Sequence, residues 1–239
     1  MDIESLPKEV LFSLFLQVRP VEIKTVCFWK NKKVREICNS KYFQESYKQK
    51  YRKVDFFDRK DLTENDFQSL VGAYSANLAY TNITDKMLKY LKDVHIINLT
   101  CTKVTDEGLK YLSNSPNLSK IYLFRVKVTN KGLKYLSNSP NLSTLNLYDT
   151  KVTDEGIKYL SNNRNLRNID LTGAEVTDKG LKYLSLIPKL SFLSLRFTKV
   201  TDEGMKYISG VSTIDLYNTG VTDAGVEYLR STGTAKIYR

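Results

Sequence analysis

Residues 142–160 read LSTLNLYDTKVTDEGIKYL, and the spacing of apolar residues differs between the two halves of this stretch. Leu145 and Leu147 lie two residues apart, which predicts a short β-strand with one buried face. Ile157 and Leu160 lie three residues apart, which predicts the buried face of a helix. The stretch is therefore predicted to form a strand followed by a helix.

The junction between the two halves carries the signals of a helix start. A Thr153 hydroxyl can cap the free N–H groups of the first turn, and an Asp154 carboxylate suits the positive end of the helix dipole. After the helix come Ser and Asn, and in sister copies also Pro116 or Pro140, which are turn residues. Each copy is thus predicted to be one strand–turn–helix unit.

The unit recurs along the chain. A small apolar residue, Thr and Asp (once Asn) stand in this order at 83–85, 104–106, 128–130, 152–154, 176–178, 200–202 and 221–223, with gaps of 21, 24, 24, 24, 24 and 21 residues. Such a period is typical of a solenoid, in which each unit buries its apolar side only against its neighbours. A weaker unit at 62–70 and a closing strand at Ala235 and Ile237 complete the array. The sequence predicts an α/β solenoid of about eight 21–24-residue units.

The pattern L-x-x-L-x-L-x-x-T-x-V-T-D-x-G-L-x-x-L resembles the leucine-rich repeat, in a short form close to the cysteine-containing subtype. Thr150 and its equivalents occupy a position usually held by Asn or Cys. Val126 and Ala174 lack a side chain for hydrogen bonding there, so these two units are expected to be slightly looser. The resemblance covers residues 51–239 and implies that the strands line a concave face that binds a target.

Side chains between the buried leucines are expected to point outward on that face. We predict that an unknown target protein contacts the middle and C-terminal units, because aromatic residues and Arg are enriched at binding hot spots. The predicted target-binding residues are Tyr122, Phe124, Arg125, Tyr148, Phe192, Arg196, Phe197 and Tyr217. The two arginines are expected to bind an acidic group, whereas the early units, with Asn77 and Asn98, are expected to be polar. Local packing of a Phe over the strand edge and pairing of two chains are alternative uses of this surface.

Residues 1–50 lack the repeat and are predicted to form three short helices. The first opens at Leu6-Pro7 and carries an apolar face at Val10, Leu11, Leu14 and Phe15, and Pro suits the first turn. Arg19-Pro20 ends this helix. The second begins at Val21-Glu22, and the third passes through Val34 to an aromatic pair at Tyr42-Phe43. Helices this short bury little surface, so a partner is expected.

The pattern Leu-Pro-x-Glu-Val-Leu, then Pro-x-x-Ile, then a closing aromatic, resembles the F-box, the helical module that docks on the Skp-type adaptor of cullin–RING ubiquitin ligases. The resemblance implies that Leu6, Pro7, Val10, Leu11, Leu14, Phe15, Pro20 and Ile23 bind the adaptor. It is poorer further on, because Trp29 and Lys33 stand where the family shows V-x-x-x-W. The alternative is a helical cap that shields the first repeat.

Length and composition limit the function classes. The chain has room for an F-box-like helical domain at 1–50 and a solenoid at 51–239, with no separate enzyme domain. There is no run of 18 apolar residues, so no membrane span is expected. The acidic start lacks the basic region of a signal peptide, and Cys27, Cys38 and Cys101 are unpatterned. Reduced thiols in the cytoplasm or the nucleus are therefore expected.

Catalytic and metal-binding constellations are missing from the sequence. The single His, His95, argues against zinc sites built from His and Cys and against Ser–His or Cys–His catalysis. Six of the 11 Gly recur at one helix position, from Gly108 to Gly225, where they are expected to let neighbouring helices approach. No enzyme activity, cofactor or metal is therefore expected.

The net charge of +11 raises the question of nucleic-acid binding. Lys89, Lys110, Lys134, Lys158, Lys182 and Lys206 each precede a repeated Tyr, and five of these six have an Asp four residues earlier. That spacing predicts stabilising Asp–Lys pairs along a half-neutralised helical face. Nucleic-acid binding is therefore disfavoured.

These observations lead to two functional hypotheses. The first is a substrate-recognition subunit of a Skp–cullin–F-box ubiquitin ligase, which binds the adaptor through residues 1–50 and a target through the repeats. The alternative is a protein-interaction scaffold whose N-terminal helices only cap the solenoid. Heavy use of Lys, Asn, Ile and Tyr indicates an AT-rich genome. F-box proteins of this kind also occur in viruses and intracellular bacteria, for which the compartment would be the host cytoplasm.

Overall fold

The structure is a computed structural model that describes residues 6–17, 32–50, 52–113, 115–234 and 236–239, without the side chains of Lys8 and Lys33. The chain divides into two compact units, Met1–Lys53 and Val54–Arg239. Each unit has its own cluster of buried apolar side chains. The two units are therefore described separately.

The N-terminal unit contains the helices Lys8–Gln17, Lys32–Asn39 and Lys41–Lys50. Its buried side chains are Leu11, Phe15, Val34, Ile37, Cys38 and Phe43. The sequence predicts one continuous stretch from Val34 to Phe43, but one helix ends at Asn39 and the next begins at Lys41. The Ser40 hydroxyl donates to the Ile37 carbonyl at 2.8 Å and accepts the Phe43 N–H at 3.2 Å, which starts a new helix. The helix predicted from Val21-Glu22 lies outside the described residues.

The cysteines differ from the sequence-based expectation. Cys38 is disulfide-bonded, whereas Cys101 is a free thiol. The expectation of reduced thiols is therefore wrong for Cys38.

The repeats build one sheet of nine strands in consecutive order. The strands are β1 Lys53–Asp55, β2 Ser75–Asn77, β3 Ile96–Asn98, β4 Lys120–Tyr122, β5 Thr144–Asn146, β6 Asn168–Asp170, β7 Phe192–Ser194, β8 Thr213–Asp215 and β9 Lys236–Tyr238. From β2 to β9 all neighbours are parallel and in register, so that Ile169 pairs with Leu145 and Leu193. Equivalent side chains of successive repeats therefore form columns.

A helix follows each of the first eight strands, and repeat n is defined here as strand βn with the helix after it. The helices are Glu64–Gln68, the 3₁₀ helix Asp85–Leu91, Asp106–Ser113, Asn130–Leu136, Asp154–Leu160, Asp178–Leu184, Asp202–Met205 and Asp223–Ser231. Their Leu, Ile, Met or Val side chains pack with the strand residues into one continuous core. The part of the chain that the structure describes thus contains eight repeats and a closing strand, as the sequence predicts.

The Thr at the strand-to-helix turn replaces the usual Asn or Cys in the expected way. The Thr150 hydroxyl donates to the Leu147 carbonyl at 2.7 Å, and Thr102 and Thr198 do the same in their repeats. Val126 and Ala174 lack that hydroxyl, but the Val126 N–H still donates to the Leu123 carbonyl at 3.0 Å. The backbone bond alone therefore closes the turn in those repeats, and its length gives no sign of the predicted loosening.

Side-chain hydrogen bonds join the helix starts of repeats 2 to 7 to the next repeat. The Asp154 carboxylate accepts the Thr177 N–H at 2.9 Å and the Thr177 hydroxyl at 2.6 Å. The same Asp–Thr rung links Asp85 to Thr105, Asp106 to Thr129, Asp178 to Thr201 and Asp202 to Thr222. Asn130 forms an equivalent rung with Thr153, in which the amide oxygen accepts and the amide nitrogen donates, both at 2.9 Å.

The rungs change the interpretation of the repeated Asp and Gly. Within the described residues none of the five Asp forms an ion pair with the Lys four positions later, so that prediction is wrong; Lys206 pairs with Glu203 instead, at 2.6 Å. A Cβ at Gly180 would lie 2.5 Å from Asp154 Oδ1. The packing role of this Gly is confirmed, and its cause is the room it leaves for the carboxylate of the preceding repeat.

Acid is expected to weaken the start of the array through Asp66. The Thr63 N–H, the Thr63 hydroxyl and the Arg59 guanidinium bind this carboxylate, and they lower its pKa from 3.8 to about 2. Because the folded pKa lies below the unfolded one, the stabilisation is present above pH 4 or so and is lost as the pH falls towards 2. Thermal unfolding followed by circular dichroism should therefore show a steeper fall in Tm between these pH values for the wild type than for Asp66→Asn. Equal pH profiles would contradict the assignment.

Candidate functional site

One apolar residue follows directly after each of the first eight strands. The next two residues in the chain form what is called here an exit pair. The pairs are Phe57-Asp58, Ala79-Tyr80, Thr100-Cys101, Phe124-Arg125, Tyr148-Asp149, Thr172-Gly173, Arg196-Phe197 and Tyr217-Asn218. Backbone hydrogen bonds continue the ladder through them, for example from Arg125 N–H to the Tyr148 carbonyl at 3.0 Å. The exit pairs are therefore fixed relative to one another, and together they are called the strand-exit surface.

The second residue of every exit pair has a left-handed backbone, with φ of 54° at Arg125, 56° at Phe197 and 70° at Gly173. This conformation costs an ordinary L-residue about 1–2 kcal/mol, and only Gly, Asn and Asp adopt it readily. The chain uses Asp149, Gly173 and Asn218 there, but also Arg125 and Phe197. Arg125 and Phe197 thus occupy positions where Gly, Asn or Asp would adopt the backbone at lower free energy. This points to a role for their side chains on the surface.

The last residue of most strands holds the exit pair in place. Asp170 Oδ1 accepts the Thr172 N–H at 3.0 Å, and Asn146 Oδ1 accepts the Tyr148 N–H at 3.2 Å. Asn98 makes the same contact with the Thr100 N–H at 3.0 Å. The polar strand residues therefore stabilise the turn, a structural role that spacing alone did not reveal.

The first cluster of predicted target-binding residues lies in repeats 4 and 5. The rings of Phe124 and Tyr148 stack with centroids 4.4 Å apart, and the Arg125 guanidinium lies 5.0 Å from the Phe124 ring. Arg125 Nε donates to Asp149 Oδ2 at 2.8 Å, and this hydrogen bond raises the Arg125 pKa. Tyr122 lies half-buried on β4. The structure thus brings Phe124, Arg125 and Tyr148 together.

The second cluster lies in repeats 7 and 8. The Arg196 guanidinium lies 4.7 Å from the Tyr217 ring and 5.9 Å from the Phe197 ring, and it donates to Asp215 Oδ2 at 3.4 Å. The Phe197 ring meets the Tyr217 ring edge-on at 5.6 Å and remains 49% exposed. Phe192 is exposed at the start of β7. Between the clusters, repeat 6 presents only small side chains at its exit pair, Thr172 and Gly173.

Both arginines already pair with a carboxylate of the next repeat. Each planar guanidinium has five N–H donors, so one Asp leaves donors free for a second acceptor. The Arg125 side chain is 63% exposed and the Arg196 side chain 42% exposed. An acidic group on a partner can therefore bind without breaking either Asp contact.

The early repeats carry an aromatic contact that the sequence analysis missed. Phe57 and Tyr80 belong to the first two exit pairs, are exposed, and meet edge-on with centroids 5.5 Å apart. A hydrogen bond with Cys101 raises the Tyr80 pKa. The unit at 62–70 matches the repeat pattern weakly, and polar side chains were expected in the early units, so this aromatic contact was not predicted. Strand register in the sheet identifies the two exit pairs.

The predicted adaptor-binding residues fall into four groups. Val10 and Leu14 lie one turn apart on helix Lys8–Gln17 and are 42% and 40% exposed. Leu11 and Phe15 are 1% and 5% exposed and pack in the core of the N-terminal unit, so their assignment as partner contacts is corrected to a core role. Leu6 is half-buried and Pro7 exposed. Pro20 and Ile23 lie outside the described residues.

Beyond these clusters, the described residues contain one His and no group of potential metal ligands. His95 stacks on Tyr74 with centroids 4.3 Å apart. Among residues 6–17, 32–50, 52–113, 115–234 and 236–239, no three His, Cys, Asp or Glu side chains cluster as a metal site. In the same ranges no helix combines the length and the apolar character needed to cross a membrane.

Comparison with known proteins shows what the repeats resemble. Residues 90–113, 138–161, 162–185 and 187–209 match the Leucine Rich repeat family model. A crystal structure of an internalin from Listeria monocytogenes is similar, with a TM-score of 0.58 and 22% sequence identity over 77% of this chain. This chain covers 52% of the internalin chain, about half its length. No curated protein sequence matches the chain. The four matched segments are therefore similar to leucine-rich repeats, and the structural likeness establishes the fold alone.

Proposed function

We propose that the protein is a non-catalytic receptor that binds a partner protein on the strand-exit surface. The observation that carries this proposal is the left-handed backbone at Phe197 and Arg125, where smaller residues would fit the fold at lower cost. Both side chains belong to aromatic–arginine clusters, the composition that dominates binding energy at interfaces. The partner contacts both clusters, with the rings as anchors and the guanidinium groups bound to an acidic group.

The dimensions of the surface suit a protein partner. Adjacent strands are spaced about 4.8 Å apart, so nine strands extend roughly 40 Å. A standard protein interface buries about 800 Å² on each side. The backbone ladder through the exit pairs keeps the side chains in place before binding, which limits the ordering cost of association.

Phe197→Asn is expected to separate binding from folding. Asn adopts the left-handed backbone more readily than Phe, which stabilises the folded state by about 1 kcal/mol. Loss of the ring contact with Tyr217 destabilises the folded state by about the same amount, ~1 kcal/mol. The free energy of unfolding should therefore change little. Peptides selected from a displayed random library on the wild-type protein should bind Phe197→Asn at least tenfold more weakly, because the anchor is gone.

Cys101→Asn is the matched control, since it places the same residue at the same position of an exit pair outside both clusters. Its affinity for the selected peptides should equal that of the wild type. Equal binding by the wild type and Phe197→Asn would refute the surface assignment, and so would a well-folded wild type that selects no peptide.

A finer proposal assigns the protein to a ubiquitin ligase. The N-terminal unit docks on a Skp-type adaptor, and through it on a cullin, while the repeats hold the target. The support is the exposed apolar pair Val10 and Leu14 beside a separate small core. Such a receptor raises the effective concentration of a target lysine near the conjugating enzyme and needs no catalytic residue. The alternative is that the helices serve only as a cap.

The double variant Val10→Glu with Leu14→Glu tests the docking proposal. Both side chains are exposed, so the unit should stay folded by circular dichroism, while desolvated charges should lower adaptor affinity at least 100-fold, about 2.7 kcal/mol. The measurement is a calorimetric titration with a purified eukaryotic Skp-type adaptor. Gln49→Glu adds a charge to another exposed helix position and should bind normally. A folded wild type that does not bind the adaptor would leave the scaffold alternative.

A further inference from the structure

The positive charge of the repeats is concentrated in one segment. Residues 51–239 contain 27 Lys and Arg and 20 Asp and Glu, an excess of seven. Residues 108–148 contain Lys110, Lys120, Arg125, Lys127, Lys131 and Lys134 and no acidic residue, an excess of six. Nearly the whole excess therefore lies in and next to repeat 4.

Repeat 4 also loses its recurring carboxylate without losing the contact that the fold needs. Asn130 stands where the other six copies of the motif have Asp. Its amide oxygen accepts the Thr153 N–H at 2.9 Å, and its amide nitrogen donates to the Thr153 hydroxyl at 2.9 Å, so the rung is complete. The substitution removes a negative charge and keeps the structure, which indicates that the local charge matters by itself.

Three lysines stack on the loop between strand and helix in repeats 3, 4 and 5. Lys103, Lys127 and Lys151 occupy equivalent exposed positions. Parallel bridges pair Thr105 with Lys127 and Thr129 with Lys151, so this loop edge continues the ladder, with each Lys opposite a Thr of the preceding repeat. The three ammonium groups therefore belong to successive repeats along one exposed loop edge.

No acidic side chain neutralises the column. In the described part of the chain Lys103, Lys127 and Lys151 form no ion pair, whereas Lys131 of the adjoining helix pairs with Glu107 at 2.6 Å. A second row, Lys110, Lys134 and Lys158, lies exposed on the helices of the same three repeats. These six residues, Lys103, Lys110, Lys127, Lys134, Lys151 and Lys158, are called the lysine patch. In repeat 6 the column ends at Glu175.

We propose that the lysine patch binds the phosphate backbone of a nucleic acid without reading its sequence. Lys is depleted at protein–protein interfaces, which argues against a protein partner here. Neutralisation of successive phosphates by Lys and Arg supplies sequence-independent nucleic-acid binding. The Asp–Lys pairs that made such binding improbable from the sequence do not form, because the Asp side chains bind Thr of the next repeat. The lysine patch shares no residue with either cluster of the strand-exit surface.

The test is fluorescence anisotropy with a labelled single-stranded oligonucleotide of mixed sequence, titrated with the full chain at several salt concentrations. The wild type should bind, with an affinity that falls steeply as salt rises. Lys127→Gln with Lys151→Gln should weaken binding at least tenfold and lower the slope of log K against log salt by about 2. Lys199→Gln changes the same loop position beyond Glu175 and should leave affinity and slope unchanged.

Two further variants change charge at fixed structure. Asn130→Asp restores the recurrent carboxylate, keeps the rung with Thr153, and should weaken binding severalfold without lowering Tm. Glu175→Lys joins the column to Lys199 and should tighten binding. The proposal is overturned if the wild type does not bind at low salt, or if the Lys127/Lys151 variant behaves like Lys199→Gln. It is also overturned if poly-glutamate or anionic phospholipid vesicles displace the oligonucleotide at equal charge concentration, since the patch would then recognise negative charge in general.

Discussion

Ile169→Ala is expected to lower the free energy of unfolding by about 2–5 kcal/mol, the range for removing a buried aliphatic side chain that leaves a cavity. Ile169 is the middle residue of β6, is fully buried, and faces Leu145 and Leu193 in the neighbouring strands. The rigid columns on either side prevent the chain from collapsing into the space. In a solenoid each repeat is stabilised only by its neighbours, so a weak central repeat uncouples the two halves.

Chemical denaturation followed by circular dichroism measures this loss. Ile237→Ala is the matched control, because Ile237 holds the same strand position in β9 but is only partly buried. It should cost less than half as much and fray one end of the sheet. Equal losses for the two variants would show that burial in the central repeats does not govern stability.

Gly180→Ala is expected to destabilise the protein by about 1–3 kcal/mol through overpacking. In an open helix the same change would stabilise by about 1 kcal/mol, because Ala is the better helix former. Here the new Cβ would lie 2.5 Å from Asp154 Oδ1 and 2.7 Å from Val176 Cγ1. The carboxylate must move, and its rung to Thr177 weakens with it. A loss of stability would therefore indicate a clash with the rung, whereas a gain would indicate that helix propensity alone governs the effect.

A double-mutant cycle with Asp154→Ala identifies the obstacle. Alone, Asp154→Ala should cost about 1–3 kcal/mol, because it leaves the Thr177 N–H without its acceptor. With the carboxylate gone, the added Cβ at Gly180 meets less resistance, so the double variant should be more stable than the sum predicts by at least ~0.5 kcal/mol. Asp85→Ala, several repeats away, should combine additively with Gly180→Ala. Strict additivity for the Asp154 pair would refute the steric explanation.

The repeat fold was predictable because its signals are local and recur. The two-residue spacing of Leu145 and Leu147 and the three-residue spacing of Ile157 and Leu160 each define one element, and the period stacks them. The hydrogen-bond partner of the repeated Asp side chain was not predictable. Asp154 can reach Lys158 four residues later or Thr177 in the next repeat, and the sequence is compatible with both. The stacking distance decides, because it brings the Thr177 N–H and hydroxyl to the carboxylate.

The candidate sites show the same limit. Exposed Tyr217 follows from the alternation along a strand, but Phe197 has the same parity as the buried Leu193 and Leu195 and is exposed where the backbone is left-handed. In the first helix Val10 and Leu14 are four residues apart, and so are Leu11 and Phe15. Both pairs are apolar, so spacing alone does not tell which pair faces the core. Only packing against the neighbouring helices assigns Leu11 and Phe15 to the interior.

The Asp–Thr rungs also bear on how such an array changes length. Each rung joins equivalent positions of adjacent repeats, so excising the 24 residues from 154 to 177 would bring Asp178 into the place of Asp154 and let it meet the same kind of threonine. Duplication of a repeat works in the same way and creates one new rung with both members present. The gene can therefore gain or lose whole repeats while every junction stays complete, and the spacing between the aromatic clusters becomes a matter of copy number.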